Sequence, residues 1–225
     1  MKRRVPAALA AVLLLAACSS DPSPTPQPAC PTEAPTSVSA QATLEDAGAA
    51  VVTVSGAVSG EFTIELYGDQ APLATANFVS LARCGFYDGI WFHRILAGFV
   101  IQAGDPGTKG QTGDFAGLGT GGPGYDFEIE PPADGLRYDP YVVAMANNTV
   151  ANGSQFFIDL VDLDAQLRSV GVYTIFGAVV SGTEVVDAIA AVPVNDPRAG
   201  VPLRLVVIES IEITESASAG ASDGS

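Results

Sequence analysis

Histidine, tryptophan and positive charge are scarce in this sequence. Its 225 residues include one histidine, His93, one tryptophan, Trp91, and three cysteines, Cys18, Cys30 and Cys84. None of these stands in a C-x-x-C or H-x-x-x-H spacing, so no metal site is expected, and a histidine-dependent hydrolase would have to work through His93 alone. Lysine and arginine number 10 against 25 aspartate and glutamate, a formal net charge of -15. Binding nucleic acid requires Lys and Arg clusters to neutralise phosphates, and their scarcity excludes that class of partner. Long apolar runs are missing too. The N-terminal one covers only residues 5–17, short of the roughly 20 residues that cross a bilayer.

That short run has the form of an export signal. Lys2, Arg3 and Arg4 precede it, and it ends in Leu15-Ala16-Ala17-Cys18, similar to a bacterial lipobox, where the cysteine sulfur accepts a diacylglyceryl group. Residues 1–17 are therefore expected as a lipoprotein signal peptide, and Cys18 as the lipidated first residue of the mature chain. Cleavage would remove three cations and no acids, leaving a formal charge of about -18. Anionic head groups repel such a surface, so the membrane link is expected through the lipid on Cys18, outside the cytoplasm. Residues 18–48 follow as a tether, with six prolines between positions 22 and 35 favouring extended polyproline II. With Cys18 acylated, Cys30 and Cys84 remain. Parity allows a disulfide between them and equally allows two free thiols.

Residues 49–214 read as one domain, and 215–225, built of Ser, Ala, Gly and acids, as a disordered tail. Within the domain the apolar period is mostly two, as at Phe62, Ile64 and Leu66, which predicts strands. Residues 72–83 and 183–191 instead place apolar residues at helical offsets, and Gly85 follows the first as a stop. The expected fold class is mostly β, a closed eight-stranded antiparallel barrel capped by two α-helices, which would leave no long sheet edge. Gly119-Thr-Gly-Gly-Pro-Gly124 fits G-x-G-x-x-G, but no strand leads in and no helix follows to receive a pyrophosphate. Glu128 and Glu130 would share one face of an extended chain, which reads as a solvated face more readily than as a glycosidase pair.

One block is far more specific. Phe92-His-Arg-Ile-Leu-Ala-Gly-Phe-Val-Ile-Gln-Ala-Gly-Asp-Pro106 resembles the signature of the cyclophilin family of peptidyl-prolyl cis-trans isomerases. Further blocks resemble that family in the same order: residues 67–78, 85–89, Met145-Ala-Asn147, 152–158 and 175–182. The resemblance implies an eight-stranded barrel, a prolyl isomerase activity without cofactor, and proline-containing polypeptides as substrates of a monomer. It implies Arg94, Gln102 and Phe99 as the catalytic group. Arg94 would donate to the twisted amide, Gln102 would hold the substrate backbone, and Phe99, Met145 and Phe157 would wall the proline pocket. Ala146 and Asn147 match the strand along which substrate lies, and Tyr173 stands where many members have histidine. No tryptophan occurs in residues 159–173, where many members have one in the pocket wall, and Leu163 or Leu167 is expected to fill that place. A non-catalytic peptide-binding or holdase module using the same groove is the alternative. A guanidinium aimed at the proline nitrogen separates the two, because a pure binder has no need of it.

Overall fold

The structure, a computed structural model, describes residues 27–111 and 117–214. The expected signal peptide, Cys18 and the C-terminal tail lie outside the described residues.

Alternation builds the sheet. In β1 (Ala49–Gly56) and β2 (Gly60–Leu66), Ala50, Val52 and Val54 and then Phe62, Ile64 and Leu66 turn inward while their neighbours face out, the pattern of strands with one buried face. β3 (Arg94–Leu96), β4 (Val100–Ala103), β5 (Val142–Asn147), β6 (Asn152–Asp159), β7 (Ile175–Ser181) and β8 (Val206–Thr214) complete one antiparallel sheet in the order β3-β4-β6-β5-β7-β2-β1-β8.

The sheet curls into a half-barrel and does not close as the expected full ring. β3 is only three residues long and finds its ladder partner in β4. The seam to β8 is spanned by the residues ahead of β3, through the Trp91–Val207 bridge and the Phe92 N–H to Val206 and Ile208 N–H to Ile90 carbonyl bonds. That short contact covers the edge in place of an eighth ladder.

α2 (Pro72–Arg83) fills the interior with one face. Its Phe78 ring lies 5.3 Å from Tyr87, 5.6 Å from Phe156 and 5.1 Å from Phe176, centroid spacings at which aromatic pairs attract beyond simple burial. Proline opens this helix, and its N-cap, Ala71, has no side chain able to bond the free amides. Glu130 does so from across the structure, so this carboxylate is a helix cap and not a solvated strand residue.

Four α-helices occur among the described residues where two were expected. α4 (Thr183–Ala190) is the second expected one, while α3 (Asp164–Val170) is too short to show a helical period. α1 (Ser37–Leu44) lies in the segment expected as tether, started by a capping box between Thr36 and Ser39. It packs on α2, where Arg83 bonds Asp46 at 2.7 Å and the Thr43 carbonyl at 3.2 Å. Cys30 and Cys84 are joined in a disulfide with their Cα atoms 5.1 Å apart, so the extension is bound to the body at the end of α2.

Candidate active site

The β3–β4 hairpin sets two side chains next to each other. Arg94 pairs directly with Gln102, and residues opposite one another in an antiparallel pair leave the sheet on the same face. Gln102 is in turn opposite Phe157 of β6. Three neighbouring strands thus place a guanidinium, an amide and a phenyl ring in one row.

Around that row is a cavity of about 170 Å³ lined by Phe99, Val100, Ala146, Asn147, Leu167 and Tyr173 as well. Phe99 closes one end, its ring centroid 5.9 Å from the Arg94 guanidinium carbon. Tyr173 closes another, edge-on to Phe157 at 5.5 Å and 85°. Tyr138 fixes Tyr173 from behind, its hydroxyl donating to the Tyr173 carbonyl at 2.7 Å and accepting from the Tyr173 N–H at 3.1 Å.

The polar groups differ in how far they are committed. Gln102 Nε2 donates to Gln155 Oε1 at 2.9 Å, and Gln155 Nε2 donates to the Gly121 carbonyl at 2.8 Å. This amide relay fixes the orientation of Gln102. Asn147 spends its side chain within the protein, donating to the Val172 carbonyl and accepting from Thr149 N–H. Arg94 has no carboxylate within salt-bridge distance among the described residues. Partial burial draws its pKa down, yet a guanidinium keeps its proton in any protein setting.

His93 faces the other way. It is 3% exposed, neither ring nitrogen has a hydrogen-bond partner among the described residues, and burial lowers its pKa to about 4. It is a buried, neutral residue against Gly119 and does not line the smaller cavity.

A second, larger cavity of about 650 Å³ shares Gln102, Ala146 and Asn147 with the first and continues under the glycine-rich loop. Asp105 holds that loop down, accepting from Gly107 N–H at 2.7 Å and Gly119 N–H at 2.6 Å. A side chain at Gly121 would overlap the Asp105 carboxylate, so this glycine serves close packing. Through their shared residues the two cavities adjoin, with room beside Phe157 for one ring-sized apolar group.

Seven of the eight candidate substrate-facing residues, Arg94, Phe99, Gln102, Ala146, Asn147, Phe157 and Tyr173, line the smaller cavity. Met145 does not. It is fully buried in the main core, whereas Ala144 and Ala146 border the smaller cluster beneath the cavity, because side chains alternate along β5. Val100 supplies a wall that was not anticipated. Of the two leucines, Leu167 lines the cavity, and Leu163 is buried below it.

A family model described as cyclophilin type peptidyl-prolyl cis-trans isomerase/CLD matches residues 50–213. The chain belongs to that family. This cyclophilin is 43% identical over 172 residues to peptidyl-prolyl cis-trans isomerase B of Streptomyces anulatus, covering 68% of this chain and 91% of the relative. It is 40% identical over 176 residues to peptidyl-prolyl cis-trans isomerase A of Mycobacterium tuberculosis, covering 69% and 87%. A solved cyclophilin-type isomerase of Cryptosporidium parvum superposes with a TM-score of 0.63 at 29% identity, over 75% of this chain and 98% of that one. Prolyl isomerisation is accordingly the activity of this cyclophilin domain.

Proposed function

We propose that this cyclophilin turns X-Pro bonds of exported polypeptides outside the cytoplasm, held to a bacterial membrane by a diacylglyceryl group on Cys18, with Arg94 stabilising the twisted amide. A barrier of about 18–20 kcal/mol separates the two peptide isomers because the nitrogen lone pair is shared with the carbonyl. No bond has to break. In the twisted state that sharing is lost, and the proline nitrogen accepts a hydrogen bond that it refuses in either planar isomer. A donor at this point accelerates rotation without holding the ground state more tightly.

The observation that supports this reading is the placement of Arg94, opposite Gln102 and on the wall of an apolar cavity of about 170 Å³, without an acidic partner among the described residues. A proline ring seated on Phe157 and Leu167 leaves its nitrogen toward the guanidinium. Gln102 holds the substrate backbone, and the chain runs past Ala146 and Asn147. His93, neutral and turned away, takes no part.

The anchoring half of the proposal rests on Leu15-Ala16-Ala17-Cys18 behind a basic and then apolar segment. Serine cannot be thioether-linked, so Cys18→Ser is expected to move the protein from the membrane fraction to the soluble fraction. Unchanged detergent partitioning would overturn the lipoprotein reading and leave the isomerase untouched.

A further inference from the structure

Asp159 is a buried acid that isomerisation leaves unused. It ends β6, is 0% exposed, and neither carboxyl oxygen has a hydrogen-bond partner among the described residues. Its direction follows from alternation: Phe156 and Ile158 belong to the main core, Phe157 to the smaller apolar cluster, and Asp159 leaves the strand on the Phe157 side. Val100 is directly opposite it in β4. The cluster on that side consists of Val100, Tyr138, Val142, Ala144, Phe157, Leu163, Leu167 and Ile175. Three of these, Val100, Phe157 and Leu167, are walls of the proline cavity.

The surroundings offer the carboxyl no counter-charge. β4 and β5 carry no ionisable residue. The loop before β5 brings Tyr138, whose hydroxyl is bonded to Tyr173, and Asp139, a like charge. From α3 and the turn before it come Asp162, Asp164 and Arg168, but Arg168 is paired with Asp164, and Arg137 bridges Asp139, Asp162 and Asp164. On β3, Arg94 lies over Phe99. An unpaired carboxylate in such a place is strongly unfavourable, so the group keeps its proton.

We propose that Asp159 is a pH-sensitive latch on the proline pocket: protonated, it packs as a neutral side chain beside Val100 and Phe157, and on ionising it opens the small cluster and weakens the grip on proline. Burial, reinforced by Asp139, moves its pKa up to about 8. In the unfolded chain an aspartate ionises near ~3.9. The unfolded state therefore releases its proton first, and stability falls as pH rises from about 4 to about 8. Above that window the folded protein carries the charge itself, and the pocket loosens.

The kinetic test rests on the isomerase reading, so a spectroscopic arm accompanies it. On the full chain in mild detergent, KM and kcat for a short X-Pro peptide are measured from pH 6 to 9.5 in the wild type, Asp159→Asn and Asp159→Leu. Above the midpoint the competent fraction falls tenfold per pH unit, so wild-type KM is expected to rise about tenfold by pH 9 with kcat changing far less. Both variants are expected to hold a flat KM and to unfold at a higher temperature than the wild type at pH 8; either one that folds suffices. The same alkaline rise in a folded variant, or a flat wild-type profile, would overturn the latch.

Carbon-13 NMR of the Asp159 carboxyl gives the second arm. A midpoint near 8, shared by the Leu167 methyl and Phe157 ring signals, supports the latch even where no isomerisation is detected, and a midpoint near 4 refutes it. Absence of wild-type turnover at pH 7 would instead count against the isomerase reading alone.

Discussion

Glu130 grips the first turn of α2 at Ala74, its Oε2 accepting the Ala74 N–H at 2.8 Å while Oε1 accepts that of Leu73 at 2.9 Å. The opening turn of a helix has amides with no partner inside the helix, and a negative charge there also complements the dipole. Here the acceptor arrives from a residue 56 positions away, so the cap also ties the long loop before β5 to the interior helix.

Replacing this carboxylate is therefore expected to cost more than an ordinary surface change. Glu130→Ala should destabilise the protein by about 1–2 kcal/mol, the range of N-cap losses, with two charge-assisted bonds removed together. Urea unfolding with an unchanged slope reads this directly. An unaltered midpoint would show that the cap is replaced by solvent without loss.

The Cys30–Cys84 link spans 54 positions, and loops of this size bring roughly 2–4 kcal/mol to a folded domain. Reduction by a dithiol, or the paired change Cys30→Ser with Cys84→Ser, is expected to lower the thermal midpoint. Turnover at low temperature should not change, since neither cysteine lines the cavity. Loss of activity in the still-folded double variant would contradict this separation.

His93 contributes to the protein's acid behaviour. Burial, with the Arg94 charge acting in the same sense against Asp105, lowers its pKa to about 4, against ~6.5 in an unfolded chain. The unfolded state takes up the proton first, so His93 removes stability progressively as pH falls from about 6.5 to about 4. Activity should show no inflection between pH 5 and 7.5, because the imidazole stays neutral there. Proton NMR of the ring checks this: a midpoint near 6.5 in the folded protein would contradict the burial argument.

Much of this was legible in the chain because periodicity and turn chemistry are local signals. The alternation of Phe62, Ile64 and Leu66, and the helical offsets of Leu73, Ala76 and Phe78, gave the strands and the interior helix. The resemblance around Arg94 and Gln102 located the cavity. What escaped depends on distance or on register. Met145 was placed in the pocket by the resemblance alone, and the alternation of β5 turns it into the main core. Glu130 looked solvated because its partners lie nearly sixty residues away. α3 has only seven residues, and α1, as long as the expected α4, buries Ala40 alone and so carries no apolar stripe to read, while the open seam beside β3 reflects its three-residue length. Asp159 sat unremarked between Ile158 and Leu160, since nothing in one sequence distinguishes a buried acid from a strand end.

In the proposed mechanism Arg94 acts on the twisted amide and not on substrate binding. Arg94→Ala removes a charge-assisted donor that strengthens at the transition state, a loss of about 3–4 kcal/mol by the measure of oxyanion-hole deletions, or about 10²- to 10³-fold in kcat/KM. The deciding measurement is the cis-to-trans relaxation of a short X-Pro peptide near 10 °C, where the uncatalysed reaction takes minutes, with peptide affinity measured in parallel. The wild type is expected to accelerate relaxation at micromolar concentration. Arg94→Ala is expected to lose this acceleration by two to three orders of magnitude while peptide affinity falls far less. A variant that keeps its turnover, or a wild type that binds the peptide without speeding its rotation, would contradict the account.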